Sequence, residues 1–188
     1  GDQLSDGDNR YGISLQHTQT AANGFSGLIN YNKVSDDDYY TDLSSGIAST
    51  STTQLLQQAQ LSYGGGGWWS ATANVQQYQT LQPDEDNPVQ EQYRLLPQIT
   101  INARKPDFYF TDSSFLGQYS HFTRSDQYIG GTKVFSGANG QRTVLYPQVA
   151  LPYVTPGWYI TPKLGLNIRN YSALSGHADG TPDSISVT

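Results

Sequence analysis

Residues 93–103, Tyr-Arg-Leu-Leu-Pro-Gln-Ile-Thr-Ile-Asn-Ala, divide cleanly when read in alternate positions. Leu95, Pro97, Ile99, Ile101 and Ala103 fall on one side. Arg94, Gln98, Thr100 and Asn102 fall on the other, with Leu96 the one apolar residue among them. A period of two predicts a β-strand with one apolar and one wetted face. The pattern returns at 145–151, where Leu145, Pro147, Val149 and Leu151 share a side.

Eight such segments are predicted, at about 10–20, 25–34, 54–63, 68–81, 93–103, 108–122, 141–153 and 158–171. In the third, Leu55, Ala59, Leu61 and Tyr63 oppose Gln58, Gln60 and Ser62. In the fourth, Trp69, Ala71, Ala73 and Val75 oppose Ser70, Thr72, Asn74 and Gln76. The eighth puts Trp158, Ile160, Pro162, Leu164, Leu166 and Ile168 together. Between them lies turn chemistry: Asn23-Gly24, the strongest short hairpin signal; four glycines from Gly64 to Gly67; Arg104-Lys-Pro-Asp107; and Thr155-Pro-Gly157.

Connections alternate in length. They are short after the first, third, fifth and seventh segments and long after the second, fourth and sixth. Outer-membrane barrels, with short turns at one end and long loops at the other, produce this rhythm. All three tryptophans, Trp68, Trp69 and Trp158, directly follow short connections, which predicts an aromatic girdle at one bilayer interface. The expected fold is therefore all-β: an antiparallel up-and-down meander of about eight strands within a transmembrane barrel. Residues 1–188 read as one segment of wall without a second domain. Pro97, Pro147, Pro152 and Pro162 fall in or beside strands; the expectation is that they lie near strand ends, where water pairs the orphaned backbone group.

Composition agrees. Only 14% of residues are charged, against about 25% in a typical soluble domain; uncharged polar residues and 14 tyrosines take their place. The formal charge of −6, with no basic stripe in the sequence, argues against nucleic acid. With no cysteine there is no disulfide framework or thiolate metal site. The N-terminus has no apolar leader, so a leader has been removed or the chain is an internal piece.

Val34-Ser-Asp-Asp-Asp-Tyr-Tyr-Thr-Asp-Leu-Ser44, Gln77-Tyr-Gln-Thr-Leu81, Tyr93-Arg-Leu-Leu-Pro-Gln-Ile99, Gly140-Gln-Arg142 with Tyr146-Pro-Gln-Val149, and Thr161-Pro-Lys-Leu-Gly165 resemble, in that order, the barrel of the LPS-assembly protein family LptD. The resemblance covers nearly the whole chain but only part of that family's protein: about a third of a barrel of some two dozen strands, from its earlier half. It implies a place in the outer membrane of a Gram-negative bacterium and a role in inserting lipopolysaccharide into the outer leaflet. It implies as partners lipopolysaccharide, an LptE-like plug lipoprotein, outer-membrane lipid, and a periplasmic Lpt bridge reached through an N-terminal domain with no counterpart here. The strands of the lateral gate also have no counterpart here.

The candidate functional surface is the polar face: Gln58, Gln60, Asn74, Gln76, Arg94, Gln98, Thr100 and Asn102 are expected to line the lumen. Leu61, Trp69, Val75, Leu95, Ile99, Leu151 and Leu166 are expected to meet lipid. No catalytic residue is assigned, because His17, His121 and His177 are scattered and no nucleophile–base–acid spacing occurs. Gly64 to Gly67 lacks the Lys-Ser/Thr of a phosphate loop, and no cofactor is expected. Asp36, Asp37, Asp38 and Asp42 bring together carboxylates of the kind hard cations take, but without the glycine and terminal glutamate of a calcium loop; they read as a solvated or packed loop, and no metal is assigned. Two rival readings are a small porin-like or anchoring barrel and a secreted carbohydrate-binding β-sandwich.

Overall fold

The computed structural model describes residues 10–40, 53–84, 86–175 and 186–187. Its strands are β1 (Gly12–Thr20), β2 (Phe25–Val34), β3 (Gln54–Tyr63), β4 (Trp69–Thr80), β5 (Arg94–Phe108), β6 (Thr111–Arg124), β7 (Gln127–Ile129), β8 (Thr132–Phe135), β9 (Ala138–Ala150), β10 (Tyr153–Thr155), β11 (Trp158–Ile160), β12 (Lys163–Gly165), β13 (Ile168–Ser175) and β14 (Ser186–Val187). The main sheet runs β1-β2-β3-β4-β5-β6-β9-β13-β14, with β12 also paired to β9. Each of its pairings is antiparallel. The meander read from the alternation is the meander of the structure.

Among the described residues no solid core backs this sheet. Among the described residues the buried apolar side chains are Val34, Leu55 and Leu81, with Tyr39 packed against them. Ile99, Ile101, Val75, Leu61 and Leu145 remain exposed. In water this arrangement would be untenable, because apolar area removed from water is what holds a sheet of this size together.

The turns depart from expectation in one place. Arg104, Lys105, Pro106 and Asp107 belong to β5, and the turn is at Tyr109–Phe110. Three residues there take positive φ without being glycine: Asp107 (55°), Tyr109 (47°) and Phe110 (63°). Side chains hold the turn: Asp112 Oδ1 accepts from the Asp107 N–H (3.1 Å), and Thr111 Oγ1 donates to the Phe108 carbonyl (2.7 Å). Pro and Asp are turn residues on average, and here they are overruled by a register slip between Lys105 and Phe108. The long segment 123–140 likewise holds the β7–β8 hairpin rather than loop alone.

The last hairpin explains its prolines. Pairing keeps one register from Thr155↔Trp158 through Lys163↔Ala150 to Ser172↔Gln141. It breaks into β10–β13 only around prolines. Pro162 accepts from Leu151 N–H (2.9 Å) and Pro147 accepts from Leu166 N–H (3.0 Å), yet neither proline can return the bond. Pro147 and Pro97 thus lie inside strands, not at their ends.

Gly24 ties neighbouring turns together. Its φ is +81°, a Cβ there would stand 2.4 Å from Gly65 Cα, and its carbonyl accepts from Gly64 N–H (2.8 Å). Gly24→Val is expected to cost at least ~1–3 kcal/mol, the usual price of a left-handed non-glycine residue. A reduced fraction of heat-resistant folded protein on a cold-sample gel would register it, and an unchanged fraction would contradict it.

Candidate functional site

In antiparallel pairs, residues directly opposite share a face. The pairings Gln58↔Gln76, Gln60↔Asn74, Asn74↔Gln98, Thr72↔Thr100 and Ser70↔Asn102 therefore set Gln58, Gln60, Asn74, Gln76, Gln98, Thr100 and Asn102 on one polar face. The opposite face carries Ile29, Ala59, Leu61, Trp69, Val75, Ile99, Leu145, Val149 and, in the same parity, Leu151, Leu164 and Leu166.

Arg94 and Leu95 exchange places relative to the sequence reading. Asn74 pairs with Gln98 but Gln76 pairs with Leu95, so β5 carries one extra residue; the same slip recurs against β6. This is a β-bulge, in which two residues oppose one and the alternation loses step. Leu96 and Pro97 both border hollows on the apolar face, with Val75 and Ala59. Leu96, the apparent intruder, thus joins the apolar set. Leu95 lies in the row of Gln76 and Phe122 on the polar face, and Arg94, opposite Thr123, lies on the other. His121 spans the bulge, its ring nitrogens 3.0 Å from the Leu96 carbonyl and 2.8 Å from Asn139 Oδ1.

The polar face is bonded to itself across strands. Gln58 donates to Asn74 (2.9 Å), Gln98 to Ser120 (3.1 Å), Gln118 to Thr100 (3.2 Å), Arg142 to Gln118 (2.8 Å), and Ser114 to Gln148 (3.2 Å). A hollow of about 580 Å³ opens on it towards the short turns, lined by Ser70, Asn102, Arg104, Ser114, Tyr146 and Gln148 among others. Sequence reasoning missed the cations here. Arg104 (↔Ser114), Lys163 (↔Ala150), Arg169 (↔Val144) and Arg142 (↔Ser120) all fall on the polar face. Their parity within each strand was the available signal.

Aromatic rings gather at the short turns. Phe25, Tyr63 and Trp69 stack in sequence, with centroids 4.8 Å apart at each step. Phe108 meets Tyr109 at 4.9 Å and Tyr153 meets Trp158 at 5.3 Å. Trp68 lies beside Lys105 Nζ, 5.7 Å from the ring centre.

The long connections pack on one another at the other end. Gln127, buried, donates to the Val89 carbonyl (2.7 Å) and accepts from Glu91 N–H (3.1 Å). Arg124 lies over the Tyr93 ring at 4.7 Å. Of the acidic cluster, Asp36 pairs with Arg10 Nε at 3.0 Å, which holds its carboxyl below the usual range; Asp42, like His177, lies outside the described residues. Asp126 accepts from Lys133 Nζ (2.8 Å) and from Gly137 N–H (2.6 Å), closing the β7–β8 hairpin. The lysine lowers the acid below its ordinary 3.8, and the acid raises the lysine above its ordinary 10.5.

Linkage gives the signs. The Asp126 contribution is present above pH 3.8 and is lost as pH falls through its depressed value. That of Lys133 is present below pH 10.5 and is lost as pH rises through its raised value. Protease cleavage within 127–135 is therefore expected to rise on acidification below pH 4, and in Asp126→Asn at neutral pH. Equal cleavage of both proteins at pH 7 would count against the clasp.

The family model described as "LPS transport system D" matches residues 8–186. The chain belongs to the LptD family. It is 39% identical over 176 residues to the LPS-assembly protein LptD of Azoarcus sp. (strain BH72), covering 93% of this chain and 21% of that protein. It is 39% identical over 178 residues to that of Aromatoleum aromaticum, with the same coverage. The LptD of Nitrosomonas eutropha is 34% identical over 178 residues, covering 93% of this chain and 23% of that protein. The chain thus spans about a fifth of the length of these curated relatives. An open antiparallel meander in a member of the LptD family is wall of an outer-membrane β-barrel.

Proposed function

We propose that residues 1–188 form one continuous section of the barrel wall of a lipopolysaccharide translocon, with the polar face towards the lumen and the other towards lipid. The role is non-enzymatic: the wall encloses the path by which lipopolysaccharide reaches the outer leaflet. An LptE-like lipoprotein within the barrel and a periplasmic bridge delivering the lipid are the partners this reading takes from the family.

One observation carries the orientation. The apolar band crosses the sheet diagonally. Followed along the hydrogen bonds, Leu15 and Tyr31 on β1 and β2 lead to Gln57 and Gln77, while Val75 on β4 lines up with His121 and Gln141 on β6 and β9. The band's centre moves from near Ile29 on β2 to between Pro147 and Val149 on β9, about seven residues over five strand steps. At ~3.3 Å rise and ~4.8 Å spacing, that is an inclination of about 45°, the tilt of strands in a membrane barrel. The short turns follow the same slope, since β3 ends at Tyr63 but β5 runs to Phe108 and the last hairpin to Thr155. A soluble sandwich gives no reason for such a slant.

Photocrosslinking in cells tests this, with probes at Gln76 and Val75 of the full-length parent. Capture of lipopolysaccharide or the plug lipoprotein at Gln76, with only bilayer lipid at Val75, is the expected result. Neither residue meeting lipid or lipopolysaccharide would overturn the wall.

A further inference from the structure

Acidic residues are concentrated at the ends of the wall, where Arg10 and Lys133 pair with some of them. The acids Asp36 to Asp38, Asp84, Asp86, Glu91 and Asp126 lie in the long connections. The polar face from β5 to β13 instead presents Arg104, Lys163, Arg169 and Arg142. Among the described residues the carboxylates near this face are Asp112, in its parity, and Asp107 in the bulge beside it, both at the short-turn end, where Asp112 Oδ1 accepts the Asp107 N–H. Arg142 pairs with Tyr171, and Arg169 with Val144, so the two guanidiniums share a face on adjacent strands, one step off register. Like charges so placed repel, and the groups nearest them are neutral: Arg142 bonds Gln118 while its Nε is buried without a partner, and Arg169 bonds Asn167. Among the described residues no carboxylate is bonded to either guanidinium, which leaves this pair open to an anionic ligand.

Allowing for the slope of the wall, the cations occupy successive heights. Arg104 lies towards the short turns, Lys163 near mid-height, and Arg169 with Arg142 towards the long connections. Hydroxyls and amides lie between them, at Thr100, Asn102, Ser114 and Ser120, and the rings of Tyr146 and Tyr171 share the face.

We propose that Arg104, Lys163, Arg169 and Arg142 form a cationic track that receives phosphate groups of a passing glycolipid, while the interleaved hydroxyls and amides meet its sugars. The inference rests on the lumenal reading of the polar face. Guanidiniums take phosphate in bidentate fashion, and a row of separated cations suits a ligand that moves better than one tight pocket would.

The test uses the full-length parent, purified in detergent, with a photoprobe at Thr100, opposite Gln118. The ligands are purified lipopolysaccharide and the same material stripped of phosphate. Arg142→Gln with Arg169→Gln is expected to lower capture of the intact lipid on the order of tenfold, the effect of losing charge-assisted bonds. The Lys/Lys counterpart should recover most of it, and the stripped lipid should be captured poorly by every variant. Heat-resistant migration verifies folding, and Arg104→Gln replaces the double variant if that fails to fold. Undiminished capture by the glutamine variant, or equal capture of stripped lipid, overturns the track but leaves the wall. Loss of crosslinks to the plug lipoprotein alone would give these cations to a protein partner and also overturn the track. No capture at Thr100 or Gln76 in any variant overturns track and wall together.

Discussion

Ile99→Arg is expected to destabilise the folded barrel by ~2–4 kcal/mol, the cost of an arginine on the lipid face at the bilayer midplane. Ile99 lies near the centre of the slanting band, between Ala73 and Tyr119 on the adjacent strands. Its neighbour Thr100 faces the other way, opposite Thr72 and Gln118. Thr100→Arg should therefore leave folding nearly unchanged, because the new charge stays in water. The amount of heat-resistant protein in the membrane measures both. Equal tolerance at the two sites would show that neither face meets hydrocarbon, and equal damage would show that both are packed.

Deleting single residues around the bulge gives the second large contrast. Without Pro97, Leu96 takes its place opposite Val75, and Leu95 stays opposite Gln76. Every neighbour keeps its face, and the protein should fold as before. Without Thr100, Gln98 moves to the apolar face and Ile99 to the polar face. An amide with no partner in an apolar medium costs roughly 2–7 kcal/mol, so folded protein should be lost. If removing Pro97 were as harmful as removing Thr100, β5 would have no spare residue and the bulge assignment would fail.

Most of the sheet could be read from alternation because the two faces of a membrane wall meet different surroundings, and a slip by one residue turns every side chain to the wrong one. Gln58 to Gln76 and Leu61 to Val75 followed from that alone. Arg94 and Leu95 did not, because a bulge inserts a residue without any change in local composition. The Tyr109–Phe110 turn was also hidden: two of its three positive φ angles are carried by aromatic residues and it is secured by Asp112 and Thr111, whereas Pro106 lies within β5 and Asp107 adds its positive φ from the strand end rather than the turn centre. Of the polar-face cations, Arg142, Lys163 and Arg169 could be placed by parity within predicted strands, whereas Arg104 was legible only once its segment was assigned to β5.

The self-bonded polar face has a kinetic meaning. Gln58 holds Asn74, Gln98 holds Ser120, and Gln118 holds Thr100, so these amides and hydroxyls already have partners within the wall. On the proposed lumenal reading, a sugar sliding past would exchange one hydrogen bond for another of similar strength, and the net gain at each position would be small. Such a surface would wet a glycan without trapping it and keep friction along the proposed path low. A wall of unpartnered amides would bind more tightly and turn over more slowly.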